Sequence, residues 1–182
     1  MIDLLINKTD FENVRKISEH CTYDALTPYI RERQNIDFID KLGNSFYFDV
    51  IKNRDEDDYR KLLDGCDYVN CDGNTVEHFG LKRALVHYSY ASYILEHGYT
   101  DSQFGAVQKI NHDSMPVPMV ELRKLHDRNI RLGNDYLRIT KDYLCHNKEL
   151  FPLYDQNCSC NCNKIKVMKT RTNTFSVIKK KR

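Results

Sequence analysis

The apolar residues of this chain recur mostly at helical spacing, broken by glycine, proline and acidic turn residues. Thr9-Asp10-Phe11-Glu12 has the form of a capping box, and Phe11, Val14 and Ile17 continue one apolar edge, which predicts a short amphipathic helix. A second helix is expected with Thr27 as N-cap and Pro28 in its first turn, running through Ile30, Ile36 and Ile39 to Leu42 and stopping at Gly43. Residues 44–52 read two ways: Phe46, Phe48 and Val50 alternate as in a strand, but the run also suits a helix, and we favour helix. Asp57 to Leu63 form a further helix with acids at its positive end and Gly65 as its stop.

A turn signal then interrupts the helices. Asp67–Asn70 and Thr75–His78 flank Cys71-Asp72-Gly73-Asn74, and Asp-Gly between β-compatible runs predicts a β-hairpin near 67–78. The strongest core helix follows over residues 79–97. Leu81, Ala84, Leu85, Tyr88, Ala91 and Leu95 line one face, and Val86, Tyr90, Tyr93 and Ile94 make a second. A helix apolar on two sides lies centrally in its bundle or between the bundle and a neighbouring subunit. Gly98 opens a linker to Ser114 whose Phe104-Gly105-Ala106-Val107 run is suited to covering the bundle.

Pro116 and Pro118 open the last and longest helix, which reaches His146 before Pro152. Leu122, Asn129, Tyr136 and Tyr143 fall seven apart with Leu125, Leu132 and Ile139 between them, a heptad-like seam for another helix of this chain or of a second one. Gly133 within that helix marks close packing, because glycine there otherwise costs about 1 kcal/mol relative to alanine. Residues 1–150 therefore read as a mainly α helical bundle with a β-hairpin insertion. Residues 151–182 read as an extended, basic, cysteine-containing C-terminal arm. In the arm, Ile165 and Val167 and then Phe175 and Val177 alternate with polar residues, so it either forms two short strands that add to a neighbour's sheet or stays disordered.

Composition adjusts this picture in a few places. With 41% apolar and 30% charged residues, 182 residues are enough for one core without metal or disulfide staples. Twelve tyrosines supply a core rim or subunit contacts. No run approaches the roughly 18 consecutive apolar residues of a membrane helix, and the N-terminus lacks the pattern of a cleaved signal, so no membrane partner is expected. The net charge of +2 is unevenly placed. Eight of the 28 basic residues and none of the 26 acidic ones follow Asp155, which makes the tail +8 and the remainder −6. Such a tail suits nucleic acid or an acidic protein surface.

Catalytic or cofactor residues are not assigned by any motif. The glycines form no phosphate-binding pattern, and the seven histidines (His20, His78, His87, His97, His112, His126 and His146) form no metal-binding spacing. Asp55-Glu56-Asp57-Asp58 lacks the alternating ligands of a calcium loop and reads as a charged helix start. Seven cysteines without a secretion signal are expected as reduced thiols; Cys66 and Cys71 flank the hairpin and can approach each other. Cys158, Cys160 and Cys162 alternate, which suits a linker better than one tetrahedral ion, so no metal residue is assigned.

Leu62-Leu63-Asp64-Gly65, Tyr68, Gly73, then Gly80-Leu81-Lys82-Arg83-Ala84-Leu85 with Tyr88, Tyr90, Ala91 and Tyr93 resemble the head-to-tail connector proteins of tailed bacteriophages. The likeness is strongest to those of crAss-like phages of Bacteroidetes hosts. It continues through Phe104-Gly105-Ala106-Val107-Gln108-Lys109 and Pro116-Val117 and covers roughly residues 1–150. The resemblance implies a virion protein, assembled in the host bacterial cytoplasm, without enzymatic activity or cofactor. It implies a homo-oligomeric ring, commonly a dodecamer, beneath the portal and against neighbouring ring and tail proteins, with genomic DNA passing through. The basic cysteine-bearing arm departs from that pattern. The rival expectation is a small helical nucleic-acid-binding regulator with zinc at its cysteines.

Overall fold

A computed structural model of the chain describes residues 3–15, 17, 21–97, 99–103, 105–108 and 117–155. The expected arm strands, the Cys158 to Cys162 cluster, Phe104 and Pro116 lie outside these residues. The described part is mainly helical with antiparallel hairpins.

Helix α1 (Lys8–Val14) is held by a capping box set two residues earlier than expected: Asn7 Oδ1 accepts from Asp10 N–H at 3.0 Å and the Asp10 carboxylate accepts from Asn7 N–H at 2.8 Å. Asn-x-x-Asp satisfies the same donors as the Thr9 pattern, and asparagine caps at least as well as threonine. Helix α2 (Tyr23–Arg33) also starts early, after Thr22, and carries Pro28 in its interior. The missing proline N–H forfeits one backbone bond, but Leu26 and Ile30 on either side are fully buried and hold the turn in place. The chain continues through a π-helical segment (Gln34–Phe38) and α3 (Ile39–Leu42) to Gly43, as expected. The wide π turn aims Gln34 inward, where its side chain accepts from Leu5 N–H at 2.8 Å and donates to Asp3 O at 3.0 Å, pinning the N-terminal segment.

Residues 44–52 are helical, in α4 (Asn44–Asn53), and α5 (Asp57–Asp64) follows with Asp57 and Asp58 in its first turn. Strands β1 (Cys66–Val69) and β2 (Thr75–His78) form the expected hairpin, with Cys66 opposite His78 and Val69 opposite Thr75. Asn70 organises its turn, accepting at Oδ1 from the N–H groups of Asp72 and Asn74 at 3.0 Å. Two glycines with positive φ, Gly65 and Gly80, close the neck of this insertion. A Cβ on Gly65 would sit 2.6 Å from His78 O, and one on Gly80 would overlap the Leu63 carbonyl, so the two backbones meet where no side chain fits.

Helix α6 (Gly80–Glu96) is the centre of the bundle. Leu81, Ala84, Leu85, Val86, Tyr88 and Ala91 are all at most 1% exposed. The second apolar face does not wait for another subunit: α1, α2, α5 and α7 all pack on α6, and Tyr93 meets Tyr29 of α2 edge-on at 5.8 Å. Beyond α6 the expected linker contains a second hairpin, β3 (Tyr99–Ser102) and β4 (Gly105–Gln108), with Tyr99 opposite Gln108. Its short polar runs carry little alternation for a sequence reading to detect.

Helix α7 (Met119–His146) has the expected extent, but its buried stripe is Asn129, Gly133, Leu137, Thr140 and Leu144, joined by Tyr143. Leu132 and Ile139 of the expected heptad seam are only half-buried and Leu125 is exposed. A straight helix packing on one globular partner follows the 3.6-residue period, which drifts away from a strict heptad. Gly133 is the closest point: a Cβ there would lie 2.6 Å from Tyr88 Cε1, while Tyr88 OH donates to Asn134 Oδ1 at 2.8 Å. After α7, Phe151 and Tyr154, in the span read as the start of the arm, turn back into the core against Phe46 at 6.1 and 5.1 Å. Most described tyrosines serve the core or its rim, including the buried Tyr47, Tyr59, Tyr88, Tyr143 and Tyr154.

The Gly133 contact predicts that Gly133→Ala lowers stability by about 1–2 kcal/mol, because displacing the Tyr88 ring costs more than the helix propensity gained. Urea unfolding measures this; a stabilised variant would mean that the ring yields freely.

Candidate functional site

The densest group of chemically able side chains lies where the first hairpin folds onto the end of α7. Register places Cys66 and His78 opposite each other on β1 and β2, with Cys66 Sγ 3.3 Å from His78 Nε2. The His78 ring stacks on Tyr143 at 4.0 Å, and Tyr68 meets Tyr143 at 5.2 Å and His146 at 5.5 Å. Burial lowers the His78 pKa to about 4. Gly80 N–H donates to His78 Nδ1 at 3.3 Å, which leaves the hydrogen of the neutral ring on Nε2, facing sulfur.

A nucleophilic cysteine needs a neighbouring imidazole that accepts its proton and a thiol pKa that falls. Here the ring presents a hydrogen instead. Burial raises the Cys66 thiol pKa, with Tyr143 hydrogen-bonded to the same sulfur acting against the rise. The pair is a structural latch between hairpin and helix.

Beside the latch a cavity of about 350 Å³ opens between the N-terminal helix, the hairpin neck and α6, with Asp10, Asp64, Glu77, Lys82 and Arg83 in its wall. Lys82 Nζ spans the wall, 2.7 Å from Asp64 and 3.5 Å from Asp10. Burial works against the Lys82 charge, but the two carboxylates outweigh it and raise its pKa. Lys82 thus joins α1, α5 and α6 through its two carboxylates.

A second polar group crosses the bundle. Arg15 donates to Asn129 Oδ1 and lies 3.3 Å from His87 Nδ1, and His87 stacks on Tyr136 at 5.3 Å. Burial, reinforced by the charges of Arg15 and Arg83 and opposed by the Asn129 hydrogen bond, lowers the His87 pKa to about 4. Asn129 lies in the seam against α6, as expected, and also bridges to Arg15 at the end of α1.

The remaining unusual surface is on α7. Its buried residues all fall at or after Asn129, while Val120 and Leu125 on its first half are 64% and 43% exposed and Val117, just before it, is 47% exposed. By length, α7 with 28 residues spans about 42 Å and α6 with 17 about 26 Å, so α7 outruns its partner by several turns. Asp57 and Asp58 stand in the first turn of α5 and pair with Arg60 and Lys61 at 2.6 and 3.4 Å, as a charged helix start does.

Among the described residues no group of three or more His, Cys, Asp or Glu side chains is placed to hold a metal, and no helix is long and apolar enough to cross a membrane. Cys21 and Cys66 are free thiols, whereas Cys71 and Cys145 are disulfide-bonded, against the expectation of reduced thiols throughout. Linear spacing does not show that folding brings the sulfurs of a hairpin turn and a helix end within bonding reach of another sulfur. The Cys66–His78 latch was likewise missed; its available signal was the hairpin register, which sets two chemically active residues opposite each other.

A family of unknown function, DUF6712, has a model that matches residues 38–164, more than half of the chain. No curated protein and no solved structure matches.

The two buried neutral histidines set a pH dependence. In the unfolded chain they titrate near 6.5 and in the fold near 4, so in that window the unfolded state binds protons that the native state refuses. Stability present above pH 6.5 is therefore lost as pH falls towards 4, by up to about 3 kcal/mol for each histidine. Urea unfolding between pH 7.5 and 5 should show the decline, and His87→Gln should flatten it; an unchanged slope in the variant would contradict the assignment.

Proposed function

The chain belongs to this family of unknown function, DUF6712, and we propose that it is a structural virion subunit that assembles with copies of itself into a ring at the head-to-tail junction of a tailed phage, beneath the portal. The ring extends the DNA channel and offers a platform for the next ring or tail protein.

The observation that carries this reading is the overhang of α7. A helix whose second half is locked into the bundle carries its first half beyond it, and Val120 and Leu125 on that half, with Val117 just before the helix, are apolar and exposed. Two exposed aliphatic residues on the helix and one just before it suit burial against a second copy, whose repeated use of the same contact closes a ring. The motif order in residues 62–93 supports the connector family, and the mainly helical body with its hairpin is compatible with it. A body of net charge −6 repels DNA and lets it slide, while a +8 segment after Asp155 is suited to an acidic face of a neighbouring subunit.

The basic segment also favours a second reading, a nucleic-acid-binding regulator, whose affinity for DNA would fall steeply with salt. Native mass by light scattering, alone and with the candidate portal, separates the two. The ring reading expects a discrete large assembly or stoichiometric capture by the portal. In that case Val120→Glu with Leu125→Glu weakens assembly at least tenfold, since each buried aliphatic side chain contributes about 1.5–3 kcal/mol. A monomer that ignores the portal and binds DNA in a salt-sensitive way would overturn it.

A further inference from the structure

The cavity beside the hairpin neck holds more charge than Lys82 uses. Its wall carries three carboxylates, Asp10, Asp64 and Glu77, against two cations, Lys82 and Arg83, and encloses about 350 Å³. Asp10 and Asp64 take Lys82. Arg83 and Glu77 remain: among the described residues neither side chain forms a hydrogen bond or an ion pair, with the other or elsewhere.

Arg83 is nevertheless held in place. Its guanidinium lies over the ring of Phe79 at 5.1 Å and over that of Tyr136 at 5.4 Å, and the side chain is half-buried. Ring contacts engage the faces of a guanidinium and leave its in-plane N–H groups for an acceptor. A planar fork of donors fits a carboxylate. Glu77, exposed on β2, stands directly opposite Asp67 in the hairpin register. Like charges across a strand pair repel, so a cation beside Glu77 relieves a cost that the hairpin otherwise carries.

We propose that this cavity is a binding site for a small amino-acid zwitterion, its carboxylate on Arg83 and its ammonium on Glu77. Charge selects the class. The wall is net negative, which opposes a phosphate or a dicarboxylic amino acid and favours a basic one, whose extra positive charge balances the surplus carboxylate. Val14 and Phe79 in the same wall give apolar contact to an aliphatic side chain. The bound molecule bridges β2 and α6. This inference does not rest on ring assembly.

The test titrates the full isotope-labelled chain with L-lysine and follows amide shifts by nuclear magnetic resonance. L-Lysine should saturate one site, with the largest shifts around residues 77–83. Acetate and butylamine, each carrying one of the two charges, should bind about tenfold more weakly or less, as should L-lysine to Arg83→Gln or Glu77→Gln, since each loses one charge-assisted pair. L-Glutamate should bind more weakly than L-lysine. Circular dichroism verifies the fold, and the exposed Glu77 supplies a variant whose loss of binding is separable from loss of the Arg83 ring contacts. No saturable L-lysine binding would overturn the proposal, as would equal binding of acetate or butylamine, or unchanged L-lysine binding in folded Glu77→Gln.

Discussion

The structure depends on the enclosure of α6. Apolar on two faces and with Leu81, Ala84, Leu85 and Val86 fully buried, it cannot stand at a surface, and α1, α2, α5 and α7 all pack on it. The tightest part of that cover is the Tyr88 ring lying on Gly133 of α7, a contact possible only because α7 has no side chain there. It sets how closely the two helices approach, and with the Arg15–Asn129–His87 bridge it fixes their rotation about each other.

From that seam the rest of the active surface follows. Because the second half of α7 is committed to α6, Tyr143 and His146 are presented at its end, where the hairpin lays Tyr68 and His78 against them. The Gly65 and Gly80 neck allows the hairpin to leave and re-enter the bundle at one place, and α7 supports it there. Aromatic rings rather than aliphatic side chains dominate this end, with Phe46, Tyr59, Phe151 and Tyr154 continuing the packing. Their stacked and edge-on contacts are directional, which suits a junction that has to hold its register.

The same commitment leaves Val120 and Leu125 on the first half of α7 exposed. Function, as proposed here, is carried by this division: a rigid half that belongs to the core and a projecting half that belongs to assembly. Several polar groups in the interior pair with one another. Lys82 answers Asp10 and Asp64, and Cys66 answers His78, so these pairs tie neighbouring elements together.

Element type was legible wherever local chemistry decides it. The helices around Leu26 to Leu42, Asp57 to Asp64, Gly80 to Glu96 and Met119 to His146, and the first hairpin, follow from periodicity, glycine stops and the Asp-Gly turn, all of which act over a few residues. The close packing at Gly133 was legible because a glycine inside a strong helix asks for a reason. The second hairpin was not, since its pairing is held by backbone bonds that its side chains hardly announce. Nor were the true caps at Asn7 and Thr22, where burial of Phe11 and Leu26 overrode the nearer capping signals. Tertiary structure alone decided which stripe of α7 is buried, that Cys66 faces His78, and that Cys71 and Cys145 share an end of the molecule. Such proximities depend on how rigid elements pack over distances that local sequence does not encode.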